Sequence, residues 1–167
     1  MKHFIILLLL ICNNLNSKLQ AQETEEQRTI IKFQITNGTF NGEDITQRLI
    51  DEKAYLVIYR IIKTDDLCMA NFWQTSNSQS SGSMHSLLSK HKQATDKNYG
   101  TNFTSFQWDY SNTYDDKKGT AKVDLMEIYK PQGGFFTIII RLENLDVLIY
   151  KGFVSDSLDK KVYERRN

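Results

Sequence analysis

The residues from 105 to 154 repeat one pattern four times: a run of alternating or densely apolar residues, then a short turn. Phe106, Trp108 and Tyr110 alternate with Ser105, Gln107 and Asp109, and Asp115-Asp116-Lys117-Lys118-Gly119 is a charged turn. Ala121, Val123 and Leu125 then alternate with Lys122 and Asp124. Side chains on a strand point to opposite faces with period two, so each run specifies a strand with one buried face. The phase slips at Leu125-Met126, and Ile128 lies on the other parity, which predicts a β-bulge. Pro131-Gln132-Gly133-Gly134 is the next turn. Residues 135–142 and 147–154 are rich in β-branched and aromatic residues and are joined by Glu143-Asn144-Leu145-Asp146. Four consecutive strands with short turns make an antiparallel meander.

The first half adds three strands. Thr29, Ile31, Phe33 and Ile35 alternate with Ile30, Lys32 and Gln34. Residues 53–63 are apolar on both faces, the mark of a central strand, and residues 67–75 return as its partner across Asp65-Asp66. Two segments change period. Asp44 and Gln47 form an N-terminal box, and Ile45, Leu49 and Ile50 share a stripe, which predicts a short helix at about 44–51. Residues 76–83 contain no apolar side chain and read as a loop. After them Met84, Leu87, Leu88 and His91 recur at i, i+3, i+4 and i+7, which predicts an amphipathic helix at about 83–94. The expected fold is mainly β: an antiparallel meander of seven strands forming a small barrel or a sandwich, with one or two short helices. A curved sheet wrapped on the second helix is a third arrangement. Closure into a barrel has the advantage of removing exposed edges.

The first 21 residues read as an address. Lys2 and His3 make a basic start, eight apolar residues follow from Phe4 to Ile11, and a polar stretch leads to the small residue Ala21. That order is a secretory signal peptide. Eight residues of helix rise about 12 Å, short of a hydrocarbon core of about 30 Å. Cleavage after Ala21 leaves a single β-rich domain, residues 22–154, and a polar tail, residues 155–167. The expected location is therefore outside the cytoplasm, periplasmic or extracellular. Lipidation at Cys12 is the alternative, disfavoured by the large Leu10 and Ile11 before it. No later segment of the chain has the 18 apolar residues of a membrane-spanning helix.

Composition excludes several classes. Aromatics at 11% and apolar residues at 40% exclude a disordered chain. A formal charge of +1 lacks the basic footprint of a nucleic-acid binder. Past the leader the chain keeps one cysteine, Cys68, in the apolar run Leu67-Cys68-Met69-Ala70; it reads as a buried thiol. There is no Gly-x-Gly-x-x-Gly, phosphate loop, Gly-x-Ser-x-Gly or Cys-x-x-Cys, so neither a catalytic set nor a cofactor is indicated. His85 and His91 stand about 120° apart on the expected helix and so do not form a metal pair.

One feature rises above this background. Tyr99, Phe103, Phe106, Trp108, Tyr110 and Tyr114 fall within sixteen residues. Large apolar rings with polar handles suit a small apolar or aromatic ligand. Trp108, Phe106, Tyr110 and Phe103 are therefore the candidate binding residues, unless they form the inward face of a packed sheet. The expected function is a non-catalytic exported module that binds such a ligand or an envelope protein. The alternatives are a structural component of the cell envelope and an enzyme with an unrecognised site.

Overall fold

The computed structural model describes residues 26–93, 100–130 and 133–157. The expected leader and the tail beyond residue 157 lie outside the described residues. The fold is a closed eight-stranded antiparallel β-barrel. Its strands are β1 (Gln27–Phe40), β3 (Tyr55–Ile61), β4 (Leu67–Trp73), β5 (Ser78–Gln93), β6 (Gly100–Asn112), β7 (Lys118–Lys130), β8 (Gly133–Leu142) and β9 (Val147–Ser157). The two-residue β2 (Glu43–Asp44) is an appendage hydrogen-bonded to the end of β1. Each of the eight barrel strands pairs with the next of them in sequence, and β1 also pairs with β9, which closes the ring. Of the three expected arrangements the barrel is the one that forms, and β9 runs three residues past the expected limit at 154.

The alternating residues behave as their pattern dictates. Ile31, Phe33 and Ile35 of β1, Phe106 and Trp108 of β6, and Ala121, Val123 and Leu125 of β7 all point inward and are buried. Leu56, Ile58, Met69, Met84, Phe136, Ile138, Ile140 and Tyr150 complete one continuous core. The barrel is thus filled with its own side chains, as small eight-stranded barrels can be.

The expected helix at 44–51 forms as α1 (Thr46–Asp51). Asn41 and Gly42, both at positive φ, turn β1 into β2, as the left-handed positions of a tight hairpin require. Asp44 Oδ1 accepts a hydrogen bond from the Thr46 amide. Leu49 is fully buried over the barrel end, but Ile50 is exposed, so the expected stripe of three loses one member. The fit of α1 depends on Gly38: a Cβ there would lie 2.6 Å from Leu49 Cδ1 and 2.8 Å from Tyr150 Cδ1.

The helix expected at about 83–94 does not form. Residues 78–93 are strand β5, which also absorbs most of the expected polar loop at 76–83. Residue 94 lies outside the described residues. The register between β5 and β6 shifts between His85 and Leu88, and Ser86 adopts a positive φ of 52°. This bulge inserts one residue, so the inward positions are Met84 and Leu87 instead of 84 and 86. A spacing of three on one face imitates a helical turn. The serine-rich start of β5 is equally explicable. Gly82 lies so close to β6 that a Cβ would sit 1.8 Å from Asp109 O, leaving no room for the branched residues that usually mark a strand.

The bulge expected at Leu125-Met126 is also absent. The ladder runs unbroken through Leu125↔Thr104, Met126↔Phe103, Glu127↔Asn102 and Ile128↔Thr101. Polarity inverts there instead: Met126 and Ile128 face outward, and Glu127 is buried inside.

The strands are strongly staggered. A row of paired residues starts at Thr29, near the beginning of β1, and passes through Tyr59, Cys68, Ser83 and Asp109 to Thr120. Thr120 lies near the beginning of β7, at the opposite end of the barrel. A path of constant height must therefore step back along successive strands, away from the α1 end.

Gly152 lies where β9 meets β1. A Cβ there would stand 1.9 Å from Gln34 O and 3.0 Å from Phe136 Cε1. Gly152→Ala is expected to cost about 1–3 kcal/mol or more by overpacking and to lower the thermal midpoint. An unchanged or raised midpoint in thermal unfolding followed by circular dichroism would contradict this closeness, since Gly→Ala in an open strand is stabilising.

Candidate functional site

The four aromatic candidates divide between the two faces of β6. Phe106, Trp108 and Tyr110 share the inward parity, and Phe103 takes the outward one. Trp108 is 2% exposed, and its indole N–H donates to the Met69 carbonyl at 3.1 Å. The indole thus has the partner that burial of an N–H demands. Tyr110 packs on Trp108 with ring centres 4.8 Å apart, and its hydroxyl lies over Gly119, where a Cβ would approach it to 2.8 Å. Phe106 is buried beside them. Phe103 stands on the outer surface opposite Met126 and shares no surroundings with the other three. Tyr114 is exposed in the β6–β7 turn, and Tyr99 lies outside the described residues.

An open depression of about 510 Å³ lies beside this row, lined by Ser81, Ser83, Asp109, Ser111, Lys118 and Thr120 among others. Asp109 is its electrostatic centre. Its carboxylate accepts hydrogen bonds from Gln107 Nε2 at 3.0 Å and Thr120 Oγ1 at 3.1 Å, and His85 Nε2 stands 3.4 Å away. The hydrogen bond from Gln107 is the largest influence holding this carboxyl below its ordinary pKa, with Thr120 and His85 acting in the same direction. The arrangement does not make a nucleophilic triad. In such a triad the hydroxyl is hydrogen-bonded to the imidazole, whereas here Thr120 donates to Asp109 itself. Tyr110, at the rim, is held neutral to higher pH, first by burial and then by the charges of Glu143 and Asp115.

A second polar group of the interior lies under α1. Asn71 Nδ2 donates to Tyr150 Oη at 3.4 Å, and Asn71 Oδ1 has no hydrogen-bond partner among the described residues. Burial pushes the Tyr150 phenol up to about 12, against smaller opposing effects of Asn71, Trp73 and Arg48. Cys68 is buried, as expected, but on the outward parity: it is absent from the interior cluster that contains its neighbour Met69. Among the described residues no three His, Cys, Asp or Glu side chains converge as metal ligands would.

Sequence reasoning overlooked one surface. The outward residues Leu88, Phe103, Met126, Phe135 and Phe153 retain between 36% (Met126) and 70% (Leu88) of their accessible area. They occupy neighbouring strands, β5 to β9, at the end away from α1. Phe103 pairs with Met126 and Phe135 with Phe153, whose rings are 5.3 Å apart. The available signal was the parity inversion at Met126 and Ile128, which also has a bulge as its reading.

Trp108→Ala is expected to cost about 3–5 kcal/mol, as large-to-small core substitutions of Trp do, measured by urea unfolding. A loss below about 1 kcal/mol would remove Trp108 from the core. Tyr150 gives a pH dependence. Its folded pKa lies above the unfolded value near 10, so the neutral phenol favours the fold fully below pH 10. That contribution is lost as the pH rises from 10 to about 12. Tyr150→Phe is expected to flatten this limb of the stability–pH curve; an identical limb in the variant would assign it elsewhere.

Comparison with known proteins finds no matching family model, no similar curated protein and no similar solved structure.

Proposed function

We propose that the chain is an exported, non-catalytic binding module that engages its partner through the outside of the barrel. The observation that carries this reading is the division of its aromatics. Trp108 and Phe106 are enclosed and packed, which favours a structural role for them. Phe103, Phe135 and Phe153 stand in water at one end, where apolar area is costly to leave uncovered. Contiguous exposed apolar residues mark interaction sites more often than scattered ones do. The reading of a cavity-borne ligand, with Trp108 in the wall, has less in its favour because the core side chains occupy the barrel interior. The structural-component reading draws no support from free strand edges, since β1 and β9 pair with each other.

Photo-crosslinking in the producing cells tests the proposal. A benzophenone side chain in place of Phe135 should capture a partner, and one in place of Thr120, at the other end, should not. The double variant Phe103→Ser, Phe153→Ser should fold with near-normal stability, because surface substitutions usually shift it by less than about 0.5 kcal/mol each. It should lose most of the Phe135 adduct. Capture from position 120 alone, or adducts unaffected by the double variant, would place the binding surface elsewhere.

A further inference from the structure

The shape of the exposed apolar surface narrows the class of partner. Passing from β5 to β9, its residues do not follow one row of paired positions. Leu88 is paired with Ser105, and Phe103 lies two residues further from the α1 end on the same strand. Met126 shares the row of Phe103. Met126 is then paired with Thr137, and Phe135 and Phe153 lie two residues further again in the same direction. Two such steps offset the stagger of the strands, so the five residues stand at nearly one level. They form a girdle on five adjacent strands of the eight, four of the eight inter-strand steps and so half of the circumference before Ile62 is added. Ile62, half exposed in the β3–β4 turn at the same end, extends it.

A flat protein surface meets only one side of a cylinder. A fluid interface can surround it, if the end of the barrel dips into it. A cation stands beside the girdle, while the turn at Ile62 carries both signs, Lys63 against Asp65 and Asp66. On the outward face beside the girdle stands the exposed Lys151, paired with Thr137. The chain outside the described barrel also joins it here, since β1 begins and β9 ends at the girdle. The ten residues after Ser157 carry Lys160, Lys161, Arg165 and Arg166 against Asp159 and Glu164. Basic segments next to apolar anchors are attracted to anionic lipid headgroups.

Resting on the proposal that the girdle is the binding surface, we infer that its occupant is the surface of an anionic phospholipid bilayer. The barrel docks end-on, with Leu88, Phe103, Met126, Phe135 and Phe153 at the level of the headgroups and α1 facing away. It does not span: the outward face nearer α1 carries Lys122, Asp109, His85 and Lys118, which a hydrocarbon core does not accept.

Flotation of the processed full-length protein with vesicles tests this. With phosphatidylglycerol and phosphatidylcholine mixed, the protein should float with the vesicles, and added salt should reduce the fraction. The variant Phe103→Ser, Phe135→Ser, Phe153→Ser should float at least tenfold less while keeping its circular dichroism spectrum, and Lys151→Glu should float less than wild type. Equal flotation with pure phosphatidylcholine would overturn the anionic assignment. If the protein does not float but self-associates in light scattering, and the triple variant is monomeric, the lipid inference fails and the girdle remains a binding surface for a second copy. Neither flotation nor an effect of the triple variant on association or crosslinking would overturn both readings.

Discussion

Closure of the sheet depends on β1, a strand of fourteen residues that must be satisfied on both sides. Its first half pairs with β3 and its length from Ile31 to Phe40 pairs with β9. The register shifts within it, between Lys32 and Phe33 and between Ile35 and Asn37, interrupt its ladder with β9, and such bulges bend a strand and increase its twist. Close approach is the other half of the device. Gly152 brings β9 against β1, and Gly38 admits Leu49 of α1 and the Tyr150 ring to the same junction. With the ring closed, inward side chains such as Ile31, Leu56 and Ile140 are fully buried, and the rings of Phe33 and Phe136, on the strands either side of β9, meet with centres 4.8 Å apart.

The strand content and the meander of the last third were legible because local and global patterns agree there. Four of the sequence readings failed for physical reasons specific to them. A bulge at Ser86 made two inward residues three apart, Met84 and Leu87, look like a turn of helix. Gly82 and the serines around it serve a strand in which space is the limiting quantity, so they read as a loop. The inversion at Met126 to Ile128 was read as an irregularity of the backbone, whereas the backbone is regular and the polarity is unusual. Ile50 fell on a helical stripe but finds no surface to cover. Of the candidate site, Phe106, Trp108 and Tyr110 share the face that their alternation indicated, whereas Phe103, grouped with them in the sequence reading, lies on the other one. Whether such a face looks into a cavity or into a core cannot be decided by alternation alone, because both demand the same apolar residues.

Inside and outside of this barrel carry an exchange of character at one end. Glu127 is buried where its strand has otherwise placed Ala121, Val123 and Leu125, while its neighbours Met126 and Ile128 take the outer surface. At the α1 end the interior is polar in another way: Asn71 and Tyr150 share a hydrogen bond beneath a helix whose single buried residue is Leu49. The two ends of the cylinder are therefore chemically unlike, and the molecule has a direction.

Joining the first strand to the last also has a consequence for synthesis. The ladder between Ile31 and Ser157 links positions at opposite limits of the described chain. Contacts so distant in sequence form late, since the intervening loop must be closed first. Without β9, β1 through β8 can be no more than an open sheet with an unpaired edge on each side. The cylinder is closed only by the pairing of β9 with both β8 and β1, so a chain interrupted before residue 147 would hold both edges open to other chains.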